Sequence, residues 1–394
     1  MDRFVYADNA ATTPVSAEVF EAMKPCFETV WGNPSSLHTK GREAKKVLDD
    51  ARARIANVFS CRPDEVYFTS CGSESDNWAI KGAAHRMKAK GRTHIVTTKI
   101  EHHAVLYTCQ ALEKEGFTVT YVGVDGDGVV NIDELKAAVD DKTALVAVMY
   151  ANNEIGTVEP IAEITEIAHA AGALMFTDAV QAVGNVPIDL SQLKVDMLSL
   201  SGHKLHAPKG IGMLFIRKGV FIDNLIDGGG QERRKRGGTE NIPYIVGLAK
   251  ALEVAKEQLP DLTRVAAMRD RLIEGLTKIP YSKLNGHRTN RLPGNVNVGF
   301  ECIEGESMLL LLDMEGICAS TGSACSSESL EPSHVLLAIG VPHEKAHGSL
   351  RLSISHETTD ADIDYILEKV PPVVARLRDM SPLWENVQKS NVNQ

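Results

Sequence analysis

The sequence predicts an α/β fold: a large domain with a mostly parallel, seven-stranded sheet flanked by helices, plus a smaller α+β domain. Three observations carry this. Short apolar, often β-branched runs alternate with longer amphipathic stretches from about residue 40 to 216. Polar clusters fall just after those runs, not within them. Beyond a long helical segment that stops before Pro260, helix and strand patterns mix without alternation. Strand-length runs separated by helical periodicity argue for parallel strands with helices on both faces.

The strand candidates, in order, are 66–69, 94–98, 119–122, 145–150, 174–177, 197–200 and 212–216. Helix-like segments at 75–90, 104–115, 132–138 and 161–171 lie between several of them, and 244–258 forms a long helix. The expected division is a large domain over 15–259 and a small one from 1–14 and 260–380. A polar, loose tail follows at 381–394.

Composition narrows the function. Apolar residues make up 43% and charged residues 24%, a balance typical of soluble globular chains. The net charge of -10 disfavours a nucleic-acid binder, which needs a basic face. The run Arg233-Arg234-Lys235-Arg236 is the exception. It sits between glycine clusters and reads as a solvated or anion-facing loop. Seven cysteines, an odd number with no CxxC pair, fit neither a disulfide framework nor a zinc ribbon. No stretch approaches the about 18 apolar residues of a membrane span, and "MDRFVYADNA" is no secretory leader. The expected home is a reducing cytoplasm, with no membrane and no direct nucleic-acid partner.

The polar clusters carry the chemistry. Cys71-Gly72-Ser73-Glu74 follows the first strand, and His102-His103 the second. Asn152-Asn153, Asp178 with Gln181, and Ser201, His203 and Lys204 follow later ones. Ligands of open parallel sheets bind outside the carboxyl ends of strands. Taken singly, each residue has a plainer role: Ser73 and Asp178 as helix caps, His102 as a satisfied structural histidine, Lys204 as a solvated cation. Five clusters at five strand ends are harder to dismiss.

Lys204 comes directly off a buried-looking strand. A lysine so placed can have a lowered pKa and form a Schiff base. That points to pyridoxal 5'-phosphate (PLP), whose other needs can be checked. Gly72 and Ser73 open a helix whose N–H groups suit a phosphate, with Ser201 and His203 as further donors. Asp178 suits the pyridine nitrogen, whose protonation makes the ring an electron sink. Gln181 can donate to the ring hydroxyl, and His102 can stack on the ring and relay protons as a catalytic residue.

With these residues assembled, the chain resembles the cysteine desulfurases of the NifS/IscS type, class V aminotransferase-like PLP enzymes of fold type I. The resemblance runs from "YADNAATTP" (6–14) to about residue 375. It includes "GNPSSLH" (32–38), "FTSCGSESDN" (68–77), "NNEIGT" (152–157) and "DAVQ" (178–181). "SGHKLHAPKGIG" (201–212), "GGGQERRKRGGTEN" (228–241) and "STGSACSSESLEPSHVL" (320–336) complete it. Many members carry Thr where Ser73 stands, which keeps the hydroxyl. The setting of Cys325 in Gly322-Ser323-Ala324-Cys325-Ser326-Ser327 resembles the long-loop group of these enzymes, not the Arg-Gly-His-His-Cys group.

The resemblance implies the roles. Lys204 bears PLP, and its amine moves the substrate α-proton. Cys325 takes sulfur from L-cysteine as a persulfide, leaving L-alanine. Gly72, Ser73, Ser201 and His203 hold the phosphate, joined by Thr239 from the partner subunit of a homodimer. His102, Asp178, Gln181 and Asn153 hold the ring, while Asn153 and Arg351 take the substrate carboxylate. The acceptor is of the iron–sulfur scaffold kind. No metal of the enzyme's own is expected, although Cys325 can meet a cluster on an acceptor. A free thiol with a pKa of about 8.5 is only a few per cent thiolate at neutral pH. Small neighbours around Cys325 suit a thiol that must travel.

Other readings have cheap discriminators. A plain aminotransferase needs no thiol at 325, whereas selenocysteine lysis uses similar residues and stays open. A binding subunit on an inactive PLP fold would be expected to lack one of Lys204, Asp178, His102 or Cys325. A metal hydrolase is disfavoured because adjacent His102 and His103 come with no HExxH spacing.

Overall fold

The seven expected strands form one sheet in the computed structural model, which describes residues 3–322 and 331–392. After a short β1 (Val5–Tyr6) come β2 (Val66–Thr69), β3 (His94–Thr98), β4 (Thr118–Val122) and β5 (Thr143–Ala147). β6 (Leu174–Asp178), β7 (Met197–Ser201) and β8 (Gly212–Ile216) follow. Their spatial order is β2-β8-β7-β6-β5-β3-β4. All neighbours pair in parallel except β8, which is antiparallel to both β2 and β7. The link 202–211 explains the exception, being too short for a crossover helix.

Every residue of β5, β7 and β8 is buried. That follows from helices covering both faces, and period-2 alternation sorts the side chains. Val146, Leu198, Met213 and Phe215 enter one core with Leu48 and Ile55 of the helix Thr39–Val58 and Leu248 of the helix Ile242–Gln258. Leu145, Met197 and Leu214 enter the other, against Trp78 and Ile80 of Gly72–Lys88 and Leu112 of His103–Lys114.

Two boundary differences matter for the site. The helical pattern read at 75–90 begins earlier, at Gly72, as the reading of Gly72 and Ser73 as its opening requires, because Cys71 caps it by accepting from the Glu74 N–H at 3.4 Å. The ladder of β5 stops at Ala147, not at residue 150. Beyond it the chain still follows β6: Tyr150 N donates to Asp178 O at 2.8 Å.

A second core is built on β9 (Ser282–Leu284), β10 (Asn295–Phe300) and β12 (Ser349–Ser353), antiparallel in the order β12-β10-β9. β11 (Ile317–Cys318) pairs in parallel with β1. Val296, Phe300, Leu350, Leu272 and Ile363 fill this core together with Val5 and Ala7. The tail departs from the expected loose segment, since Pro382–Val392 is helical. Trp384 explains it: the ring meets Tyr281 edge-on at 5.2 Å and lies 4.4 Å from the Arg378 guanidinium, contacts that pin an otherwise polar helix. Among the described residues, no helix is long and apolar enough to cross a membrane.

Candidate active site

The carboxyl ends of β3, β6 and β7 and the start of the helix Gly72–Lys88 open into one cavity of about 340 Å³. Gly72, Ser73, His102, Asn153, Asp178, Gln181, Ser201, His203, Lys204 and Arg351 all line it. These were sequence-derived candidates from segments far apart in the chain, and folding brings them to one place.

Lys204 ends the 3-10 turn Gly202–Lys204, which leaves β7 directly. Its amine donates to the backbone oxygens of Ala10 at 2.5 Å and Ala11 at 2.7 Å. The Gln181 amide also donates to Ala10 O, at 3.0 Å. The segment Asp8–Thr13 is fixed beneath by Thr13, whose N–H and hydroxyl both reach His203 O at 2.9 Å. A second cavity, of about 270 Å³, shares Ala10, Gln181 and Lys204 as lining. Lys204 therefore borders two cavities.

A buried acid pair lines the first cavity with Lys204. Asp178 ends β6 and is capped by Val180, whose N–H donates to its carboxylate at 2.9 Å. Asp76 accepts from the Ser199 hydroxyl at 2.5 Å. A carboxylate oxygen of Asp76, one of Asp178 and a ring nitrogen of His102 lie within 4.8 Å of one another. Burial raises both carboxyl pKa values, and the like charge of Asp178 raises Asp76 further. The Val180 N–H and the Lys204 cation pull Asp178 back down. Two carboxylates this close in a dry site cannot both ionise readily. Asp178, with its N–H cap and facing Lys204, is the one that carries charge.

His102 caps the helix His103–Lys114, its Nδ1 accepting from Ala104 N at 3.1 Å. That places the neutral ring's proton on Nε2. Burial, then His103 and Lys204, lower its pKa to about 4. His203 is likewise lowered to about 4, chiefly by burial, and its Nδ1 sits 3.1 Å from the Thr12 hydroxyl. Both rings are uncharged at neutral pH.

The helix start forms a cradle. A Cβ on Gly72 would stand 2.8 Å from Val180 Cγ2 and 3.4 Å from Ser201 Cβ, so the backbone comes close because nothing is attached there. The basic run corrects the solvated-loop expectation in part. Arg236 turns inward and forks Glu74 at 2.8 and 3.1 Å, and the Arg233 guanidinium lies 4.1 Å over the Tyr67 ring. The anion that Arg236 faces belongs to this chain.

Arg351, on β12, is 2% exposed. It donates to Asn153 O at 3.2 Å and to Asp8 Oδ1 at 3.1 Å. Its buried Nε–H has no hydrogen-bond partner among the described residues. An unmatched guanidinium donor at a cavity wall suits a carboxylate ligand.

PLP fits this donor set. A carboxylate beside a lysine amine serves the ring nitrogen, a neutral imidazole stands at the ring, and a glycine-opened helix N-terminus with Ser73 and Ser201 serves the phosphate. Thr239 is exposed and does not line the cavity. Cys325 lies outside the described residues, but the flanks of its segment are anchored. Gly322 N donates to Ser349 Oγ at 3.1 Å, and the Ser333 hydroxyl donates to Glu154 Oε2. Burial pushes the Glu154 carboxyl up to about 7.

Sequence reasoning missed Asp76, Glu154 and the backbone of Ala10 and Ala11. Asp76 and Glu154 lie inside the motifs "FTSCGSESDN" and "NNEIGT", where an acid in a helix or turn has no distinguishing mark. The alanine carbonyls have no side-chain signal at all.

The chain is similar to known proteins over nearly its whole length. Residues 5–366 match the family described as Aminotransferase class-V. The chain is 57% identical over 383 residues to "Cysteine desulfurase IscS" of Methanosarcina thermophila, covering 97% of this chain and 95% of that one. Among solved structures it is similar to a "NifS-like protein" with a TM-score of 0.90 and 41% identity, covering 95% of this chain and 100% of that one. It is also similar to "SspA in complex with cysteine", with a TM-score of 0.79 and 36% identity over 89% of this chain and 98% of that one. On the match over residues 5–366 and these near-full-length likenesses, this chain belongs to the aminotransferase class-V family.

Proposed function

We propose that this protein is a PLP-dependent cysteine desulfurase. It takes L-cysteine and an enzyme thiol, and yields L-alanine and an enzyme persulfide on Cys325. The balance is exact in atoms: the carbon–sulfur bond of the substrate breaks, a sulfur–sulfur bond forms at Cys325, and the substrate carbon gains the proton the thiol loses. One observation carries the reading: the Lys204 amine, Asp178 carboxyl, His102 ring and Arg351 guanidinium line a single cavity.

PLP, when bound, supplies the electron sink that makes the substrate's α-proton and sulfur labile. The chain's residues do the rest. Lys204 holds the cofactor and, when released from it, is the base that moves the α-proton. Asp178 holds the ring nitrogen protonated by a charge-assisted bond, which contributes about 1.5–3 kcal/mol. Neutral His102 packs at the ring, with Gln181 and Asn153 beside it. Gly72, Ser73, Ser201 and His203 receive the phosphate. Arg351 orients the substrate carboxylate, with Asn153 at its side, which aims the sulfur at one direction of approach.

Cys325 collects the sulfur and delivers it to an acceptor, an iron–sulfur scaffold protein or another thiolation partner. Thr239, exposed on its loop, completes the partner's phosphate site in a homodimer. The two cores support a large domain over 15–259 and a small one from 1–14 and 260–380, and a reducing cytoplasm suits a persulfide carrier.

The test is direct. Holoenzyme with L-cysteine and a thiol reductant releases alanine and sulfide in equal amounts, and Cys325→Ser keeps bound PLP but stops sulfur transfer. Undiminished sulfide release by that variant would rule out the persulfide route.

A further inference from the structure

Glu232, Arg233 and Arg234 hold φ of 44°, 57° and 64° in succession. Left-handed backbone at non-glycine residues is strained and persists only where the surroundings over-determine it. Here they do. Arg52 forks Glu232 at 2.8 and 2.7 Å, and Phe68 N donates to the same carboxylate at 3.0 Å. Arg233 donates to Val66 O at 2.7 Å. The loop is bolted along β2, just ahead of the phosphate cradle.

That fastening sets Arg236 against Glu74, the residue directly after Gly72 and Ser73. Glu74 accepts two guanidinium bonds at 2.8 and 3.1 Å, the Ser70 N–H at 2.8 Å, and the Ser70 hydroxyl. Its side chain is 10% exposed and that of Arg236 21%. A first-turn carboxylate normally suits a helix dipole. Beside a site for a phosphate dianion it is a competing like charge, felt more strongly because water is largely excluded. A pKa held low by Arg236 and Ser70 against the opposing effect of burial means that this charge is present at neutral pH.

We infer that Arg236 is a positioning residue for the cofactor phosphate: it neutralises Glu74 and holds that carboxylate toward Ser70, leaving the N–H groups of Gly72 and Ser73 to the phosphate. This rests on the reading that the phosphate sits at Gly72 and Ser73. The effect runs through Glu74 and requires no direct contact between Arg236 and the cofactor.

The test is titration of apoenzyme with PLP and, separately, with pyridoxal, which lacks the phosphate. Arg236→Ala is expected to weaken PLP binding about tenfold or more and to leave pyridoxal within about twofold. Arg236→Lys keeps the charge and retains most of the affinity. Adding Glu74→Gln to Arg236→Ala restores PLP binding, because the stranded charge is gone. Equal weakening toward both aldehydes, or no recovery in the double variant, would mean that Arg236 only holds the loop, and the inference falls. Ser73→Ala separates the two levels. If it too fails to discriminate PLP from pyridoxal, the phosphate lies elsewhere and the site reading itself fails. If Ser73→Ala discriminates and Arg236→Ala does not, only the inference is lost.

Discussion

The Lys204 amine and the Ala10 carbonyl oxygen lie 2.5 Å apart, although the residues are 194 positions apart in the chain. The contact ties the amine to the segment before Thr13, and Lys204 lines two cavities, one of them shared with Asp178 and Arg351.

Lys204→Ala is expected to lose the visible absorbance of lysine-bound PLP. Turnover of L-cysteine should fall by about 10²- to 10⁴-fold, the usual worth of a positioned proton carrier. Absorbance spectra and alanine release check both. A variant that keeps full turnover would show that the proton is moved by another group.

Arg351→Lys keeps a positive charge but loses the fork. The KM for L-cysteine should rise by about 10- to 100-fold, the equivalent of about 1.5–3 kcal/mol of charged hydrogen bonding. PLP content should change little, because Arg351 is assigned to the substrate. A loss of PLP with unchanged KM would reverse that assignment.

Gly72→Ala places a methyl 2.8 Å from Val180 Cγ2. Either the cradle or Val180 must shift, and overpacking of this kind costs about 1–3 kcal/mol. PLP affinity should drop while the far-UV circular dichroism stays unchanged. Unchanged affinity would place the phosphate away from this turn.

Glu101 supplies a pH test. The residue is 1% exposed, and burial pushes its carboxyl pKa up to about 8, against the opposing bonds from Met149 N and the Thr98 hydroxyl. Between its unfolded value of about 4.3 and about 8, the folded chain holds a proton that the unfolded chain releases. Stability from this group therefore falls as pH rises through that window. His102 and His203, lowered to about 4, act in the opposite direction, and only below about 6.5. Glu101→Gln removes the penalty, so its melting temperature should gain on wild type as pH goes from about 6.5 to about 8.5. A constant difference would mean that the carboxyl is already ionised in the fold.

The alternation of strand and helix was readable because each pattern is local. Short apolar or β-branched runs such as 94–98 and 212–216 are buried on both faces of a sheet and match the observed strands. Placement of the site was readable for a related reason. Parallel strands deliver their carboxyl ends to one edge, so His102, Asp178 and Ser201, each at or just after a strand end, were bound to converge.

What the sequence determined by itself is therefore the set of chemical groups and the edge at which they meet. Tertiary structure alone decided which of them touch. The seat of Lys204 on Ala10 and Ala11, the Asp76–Asp178 pair and the Arg236–Glu74 fork join residues distant in the chain or close only through the fold. Backbone carbonyls and paired charges have no periodicity to read, because their partners are chosen by packing. The tail shows the same limit: its polar composition suggested looseness, and one tryptophan seated against Tyr281 and Arg378 made it a helix.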